Sequence, residues 1–106
     1  MEKRKPHYSL PDIQCGVANP ANRVFTATAL DGGLEMGLEE SEMRAVIGKL
    51  TVRNLFKSMT ATRDPAMWQD VYHAMTPVGI VAYIKITGYM DGRPPVIQFK
   101  RKDSAS

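Results

Sequence analysis

The sequence predicts an α+β fold, with helices packed on one face of a small, mainly antiparallel β-sheet. The first half of the chain carries apolar residues at helical spacing, most clearly over residues 40–50. The second half changes to alternating apolar and polar residues, most clearly over residues 79–89. Helical segments followed by strands and a hairpin turn are typical of α+β proteins.

A basic extended arm, residues 1–8, comes first, because Pro6 disfavours helical geometry just before it. Ser9 is then placed to cap a short helix that ends near Ala18. Its expected buried residues are Leu10, Ile13 and Val17.

A short strand over residues 23–26 is expected next, followed by a second helix capped by Thr26 or Thr28 and ended by Gly37. Two glycines inside this helix disfavour it, because each costs about 1 kcal/mol against alanine. The third helix has the strongest pattern, with apolar residues on one stripe. These residues are Met43, Val46, Ile47 and Leu50.

Thr51 is placed to cap a further short helix across Leu55 and Phe56. Beyond it, β-branched and aromatic residues predict strands over residues 68–75, 79–89 and 96–100.

Asp91-Gly92 between the last two strands is a hairpin turn signal, and the prolines that follow can lengthen the loop. A two-residue loop sets Tyr83 opposite Lys100 and Lys85 opposite Gln98. Directly opposed residues share one face of a sheet, so these side chains should lie together on the face away from the core.

The chain of 106 residues predicts a single domain with a modest core and a flexible tail at residues 102–106. No apolar run is long enough to span a bilayer, and no signal-peptide pattern opens the chain, so we expect a cytoplasmic protein without a membrane partner. Cys15 is the single cysteine, and with two histidines it gives no metal-ligand spacing. No Walker or dinucleotide-binding pattern is present, so we expect no cofactor and no metal.

The formal net charge is +3, and its distribution is uneven. Basic residues gather at both ends of the chain, whereas acidic residues concentrate over residues 35–42. This pattern predicts a basic sheet region and an acidic helical region. Solvated ends and a solvated helix face would explain it equally well.

Four sequence motifs resemble those of the motility quorum-sensing regulator (MqsR) toxins. They are Met1-Glu2-Lys3-Arg4-Lys5-Pro6-His7, Phe56-Lys57-Ser58-Met59-Thr60, Trp68-Gln69-Asp70-Val71-Tyr72 and Tyr83-Ile84-Lys85-Ile86-Thr87. The resemblance runs from the first residue to about Lys102. It implies a RelE-like fold and a metal-independent endoribonuclease (an mRNA interferase) that cuts mRNA at sites such as GCU. It also implies an antitoxin partner with a zinc-binding region and a helix-turn-helix DNA-binding region.

RNA can be cut when the ribose 2′-hydroxyl attacks the neighbouring phosphate, provided that protons and charge are managed by side chains. Lysine supplies charge or, with a lowered pKa, acts as an acid or a base. Tyrosine positions the phosphate or donates a proton, and glutamine only hydrogen-bonds. The resemblance places the catalytic roles on Lys57, Gln69, Tyr83 and Lys100. Taken alone, each of these residues is more commonly a solvated or sheet-surface side chain.

Five further residues are candidates for RNA binding. His73 stands where the resembled family has arginine, and we expect it to be exposed. Met59 could stack on a base or pack in the core. The full set is Ser58, Met59, Arg63, His73 and Lys85.

Two other functions remain compatible with the sequence. The chain could bind RNA or act in a repressor complex with its partner, without catalysis. It could also be a protein-interaction domain with a basic sheet. The antitoxin could dock on the acidic helix or on the sheet edge.

Overall fold

The computed structural model describes residues 1–103, and within them the predicted α+β class is confirmed. Three helices and five strands form the fold: β1 (Glu2–Lys3), α1 (Leu10–Ala18), α2 (Ala27–Glu35), α3 (Glu40–Gly48), β2 (Leu55–Thr60), β3 (Trp68–Met75), β4 (Val81–Thr87) and β5 (Val96–Arg101). The sheet order is β1-β2-β3-β4-β5, and every neighbouring pair is antiparallel. None of the helices in the described range is long and apolar enough to cross a bilayer.

The helices cover one face of the sheet. Side chains from β3, β4 and β5 join those of α1, α2 and α3 in a single hydrophobic cluster. We call the opposite side of the sheet the open face. The sheet residues in the cluster are Tyr72, Ala74, Ala82, Ile84, Ile86, Ile97 and Phe99.

The predicted helices are confirmed, with caps that explain where they begin. The Ser9 hydroxyl accepts a hydrogen bond at the start of α1, and the Thr26 hydroxyl accepts one at the start of α2. Glu39 and Glu42 form a reciprocal capping box at the start of α3. The apolar residues predicted to be buried in α1 and α3 are all buried: Leu10, Ile13, Val17, Met43, Val46, Ile47 and, just after α3, Leu50.

The glycines of α2 allow this helix to approach its neighbours closely. A Cβ atom at Gly32 would overlap the carbonyl oxygen of Phe99 in β5. A Cβ atom at Gly33 would overlap the Met43 side chain in α3. The propensity cost of these glycines is therefore offset by packing that no larger residue permits.

We expect Gly32→Ala to lower the free energy of unfolding by about 1–3 kcal/mol, because overpacking against backbone outweighs the gain in helix propensity. Urea denaturation measures this change. Gly48→Ala is the matched control, since a Cβ there meets nothing within 4 Å. A Gly32→Ala protein as stable as the Gly48→Ala protein would contradict the close packing of α2 on β5.

Two predicted elements are wrong. Residues 23–26 form only an isolated bridge, between Phe25 and Ile97, because Thr26 turns at once to cap α2. The helix expected across Leu55 and Phe56 is a single 3-10 turn over Val52–Asn54, after which β2 begins. The Asn54 side-chain oxygen accepts from the Thr51 amide at the start of that turn, and its amide group donates to the His73 carbonyl of β3.

The register predicted for the last hairpin is confirmed. Tyr83 faces Lys100, and Lys85 faces Gln98. The strands nevertheless separate after the Thr87–Val96 pair, so β4 is shorter than predicted and the connection is not a two-residue loop. Two prolines precede Val96, and proline cannot donate to a strand ladder.

The predicted basic arm is extended, and its residues Glu2–Lys3 form β1 on the edge of β2. The buried carboxylate of Asp70 anchors the arm, since it accepts hydrogen bonds from the backbone amides of His7 and Tyr8 at 2.9–3.1 Å. Residues 104–106 of the predicted tail lie outside the described range.

Candidate active site

The four residues predicted to be catalytic all lie on the open face. Ser58 of β2 pairs with Asp70 of β3, and Asp70 pairs with the core residue Ile86, so both side chains point to the helix side. Side chains alternate along a strand, so the neighbouring Lys57 and Gln69 point to the open face. Tyr83 and Lys100 are next to the core residues Ile84 and Phe99, so they also point to the open face.

A β-bulge shapes the β2 part of this face. Leu55 pairs with Tyr72 and Lys57 pairs with Val71, so Phe56 is the extra residue. A bulge of this kind directs two successive side chains to one side of a sheet. It explains how the Phe56 ring and the Lys57 ammonium group stand next to each other, 5.4 Å apart.

Lys57 forms an ion pair with a residue of the arm. Its Nζ lies 2.6 Å from Oε1 of Glu2, and the Lys57 side chain is 24% exposed. The pair holds the pKa of the Glu2 carboxyl below its usual value, chiefly through the hydrogen bond and then through the lysine charge. Glu2 is therefore an ionised acceptor beside Lys57.

Tyr83 is half-buried between cationic and aromatic neighbours. The Nζ of Lys100 lies 5.3 Å from the centre of its ring, and the His73 ring is centred 5.8 Å away. Burial raises the pKa of the Tyr83 phenol, and the Lys57 charge partly opposes this rise. The phenol is therefore a proton donor at neutral pH.

His73 is not exposed as predicted, because two rings cover it. The Phe56 ring stacks on it at 4.6 Å and 21°, and Tyr83 tilts against the other side. Burial lowers the pKa of His73, and the charge of Lys102 lowers it further. The imidazole is thus neutral at neutral pH and serves as the centre of an aromatic row across β2, β3 and β4.

Gln69 stands apart from this row. It is four residues from His73 along β3, which corresponds to about 13 Å. Its side-chain amide donates to the Thr87 hydroxyl at 3.3 Å. Tyr83 and Lys100 are thus directly opposed. Lys57 pairs with Val71, two residues before His73 along β3, and Gln69 lies two residues further in the same direction.

Lys85 lies at the centre of the open face. It is flanked across the strands by Val71 and Gln98. Val71 is fully buried although it is outside the core cluster, so side chains of the open face cover it. With Lys57 and Lys100, Lys85 makes the surface positive, which suits a polyanion.

Three other predicted RNA-binding residues have different surroundings. Ser58 is fully buried on the helix side, and its hydroxyl has no hydrogen-bond partner among the described residues, so it cannot contact RNA on the open face. The strand alternation that exposes Lys57 buries Ser58. Met59 is half-buried on the open face opposite Gln69, and Arg63 is exposed in the loop that joins β2 to β3.

Trp68 is not free to stack on a base. The His7 ring lies parallel to it at 5.1 Å, and the Nζ of Lys3 lies 4.2 Å from its ring centre. The same Nζ approaches Nδ1 of His7 at 2.9 Å. Trp68 therefore holds the arm on the sheet.

Within residues 1–103, no three His, Cys, Asp or Glu side chains lie close enough together to hold a metal ion.

Sequence reasoning missed two residues of the open face, Glu2 and Phe56. An exposed aromatic residue next to a candidate lysine was a usable signal for Phe56. Glu2 gave none, because its position depends on the pairing of β1 with β2.

Comparison with known proteins agrees with the sequence motifs. The family described as "Motility quorum-sensing regulator, toxin of MqsA" matches residues 5–101. The mRNA interferase toxin MqsR of Escherichia coli (strain K12) is 37% identical over 102 residues, which cover 96% of this chain and 100% of the relative.

Proposed function

Since the chain belongs to the motility quorum-sensing regulator family of toxins, we propose that it is an endoribonuclease that cuts messenger RNA and thereby stops translation. One observation carries the proposal beyond family membership. Lys57, Tyr83 and Lys100, which lie far apart in the sequence, share one half of a positively charged open face. A phosphate placed there meets ammonium groups and a phenolic proton.

The reaction proposed is metal-independent attack of a 2′-hydroxyl on the adjacent phosphate. Lys57 and Lys100 stabilise the negative charge that grows on the phosphate oxygens. Tyr83 donates its proton to the leaving 5′-oxygen. Gln69, at the far end of the face, positions a neighbouring nucleotide by hydrogen bonding, because its amide does not titrate.

The substrate proposed is single-stranded mRNA with GCU-like sites. Lys85, Met59 and His73 line the path between Gln69 and Tyr83 on the open face. Lysine binds phosphate, and methionine offers an apolar contact for a base. Arg63 is exposed in the loop between β2 and β3, beyond the Gln69 end of this path.

The partner proposed is a zinc-binding, helix-turn-helix antitoxin that acts with the toxin in the cytoplasm. The family description names the toxin together with its MqsA partner, which supports this part of the proposal.

We expect the purified protein to cut a synthetic RNA that contains every trinucleotide, in excess EDTA, at discrete sites with 2′,3′-cyclic phosphate ends. Cleavage follows from the groups on the open face, which need no metal to supply charge and a proton. Sequencing the product ends identifies the sites. Intact RNA in the presence and absence of translating ribosomes, from folded protein that binds it, would favour the non-catalytic RNA-binding function.

A further inference from the structure

The proposed reaction needs a group that accepts the 2′ proton, and the predicted catalytic residues do not provide one. Lys57 and Lys100 carry ammonium groups, which donate protons. The amide of Gln69 does not titrate. Tyr83 keeps its proton, because burial raises its pKa. A side chain of the open face that accepts this proton would therefore be a fifth residue.

Glu2 is on that face. It pairs with Met59, which pairs with Gln69, and directly opposed residues share a face. Its Oε1 is 2.6 Å from Nζ of Lys57, and its side chain is 52% exposed.

Within the described chain, Glu2 is the one carboxylate of the open face. Asp70 points to the helix side and is buried. The other carboxylates lie in helices, in caps and loops or after β5: Asp12, Asp31, Glu35, Glu39, Glu40, Glu42, Asp64, Asp91 and Asp103.

We propose that Glu2 is the catalytic proton acceptor of RNA cleavage. The inference rests on the proposed function. The Glu2 carboxylate removes the proton of the 2′-hydroxyl, and the 2′-oxygen forms a new bond to phosphorus. The bond from phosphorus to the 5′-oxygen breaks, and the Tyr83 phenol gives its proton to that oxygen. The products are a 2′,3′-cyclic phosphate and a 5′-hydroxyl, and solvent restores both side chains.

The charges around Glu2 keep its carboxylate ionised, so that it holds no proton at neutral pH, and they also make it a weaker base than a free glutamate. Lys57 from β2 faces it, and Arg4 and the Met1 ammonium group act on it from the same arm of the chain. The Lys57 charge lowers the pKa of both Glu2 and Tyr83, so Lys57 lies within electrostatic reach of acceptor and donor. In the sheet order, Lys57 in β2 lies between Glu2 in β1 and Tyr83 in β4.

His73 is the other group that can accept a proton on this face. Its ring is enclosed by Phe56 and Tyr83 at 4.6 and 5.8 Å. Among the described residues, the ring that Lys57 approaches is that of Phe56 and not that of His73. Glu2 is therefore better placed.

The test compares single-turnover cleavage by the wild-type protein and by Glu2→Gln, with Glu35→Gln as a charge-matched control on α2. We expect Glu2→Gln to cleave about 100-fold more slowly, with the same melting temperature and equal or tighter RNA binding. We expect the control to cleave at the wild-type rate. A Glu2→Gln protein that cleaves as fast as the wild type would overturn the role, and a faster one would identify Glu2 as a block on Lys57.

Two further measurements distinguish a Glu2 that accepts the proton from a Glu2 that only supports the structure. Added carboxylates should restore cleavage by Glu2→Ala, acetate more than formate, since the stronger base is the better acceptor. An RNA with a 5′-bridging sulfur needs no proton donor, so it should rescue Tyr83→Phe but leave Glu2→Gln slow. Absence of carboxylate rescue, or rescue of Glu2→Gln by the sulfur substrate, would overturn the assignment. A wild-type protein that cleaves no RNA would instead overturn the proposed function.

Discussion

Lys57→Ala is expected to lower the rate of RNA cleavage by about 100- to 1,000-fold, the usual effect of removing one group that stabilises transition-state charge. The ammonium group stands 2.6 Å from Glu2 and is only 24% exposed, so the strand fixes its position before RNA binds. A fixed charge acts on the transition state without reorganising. RNA affinity should fall much less than the rate, because other lysines of the open face also attract phosphate.

Single-turnover kinetics with saturating protein measure this rate, and a filter-binding titration measures the affinity. Lys49→Ala is the matched control, since Lys49 is an exposed lysine at the end of α3 and the net charge changes equally. Equal rates for Lys57→Ala and Lys49→Ala would remove Lys57 from the catalytic residues. An equal loss of affinity and rate would assign it to binding alone.

Tyr83→Phe is expected to slow cleavage by about 100-fold, the lower range for loss of a proton donor. The substitution keeps the ring beside His73 and Lys100 and removes only the hydroxyl. Burial raises the phenol pKa above its ordinary value of 10.0. Its contribution is therefore complete at neutral pH and is lost only when the pH rises through that raised value.

Cleavage rate and melting temperature should be measured together for this variant. Tyr89→Phe in the loop before β5 provides the matched control, since its ring packs on Arg93 and lies outside the strands. Loss of cleavage with an unchanged melting temperature supports the donor role. Loss of both would mean that Tyr83 acts through the fold of the sheet.

The order of the elements was predictable because local patterns determine it. Helical stripes, capping residues and the Asp91-Gly92 turn each act over a few residues. The last hairpin register was therefore predictable to the residue, including the Tyr83–Lys100 pair. Errors occurred where tertiary pairing decides, as at Leu55 and Phe56, which form a strand because β3 lies beside them.

The candidate site was less predictable, since its parts come from separate strands. The resemblance supplied Lys57, Gln69 and Tyr83, but only the sheet register reveals that Gln69 lies away from Tyr83. Ser58 follows a candidate lysine and is nevertheless buried, as alternation along β2 requires. A two-residue strand such as β1 has no periodicity to read, so Glu2 could not be placed from sequence.

The pairing of β1 with β2 also bears on how the molecule folds, because it joins distant parts of the chain. Each of the strands β2 to β5 pairs with the strand next to it in the sequence, and this arrangement is called a β-meander. Its contacts are short-range, which favours fast formation. Glu2 and Lys57 are 55 residues apart, and all three helices lie between them. Closing so long a loop costs conformational entropy. The contacts with the completed meander and with Asp70 offset that cost. We therefore expect β1 to pair with β2 late in folding. Hydrogen exchange should then show early opening at the backbone amides of this edge, such as that of Thr60, which donates to the Met1 carbonyl.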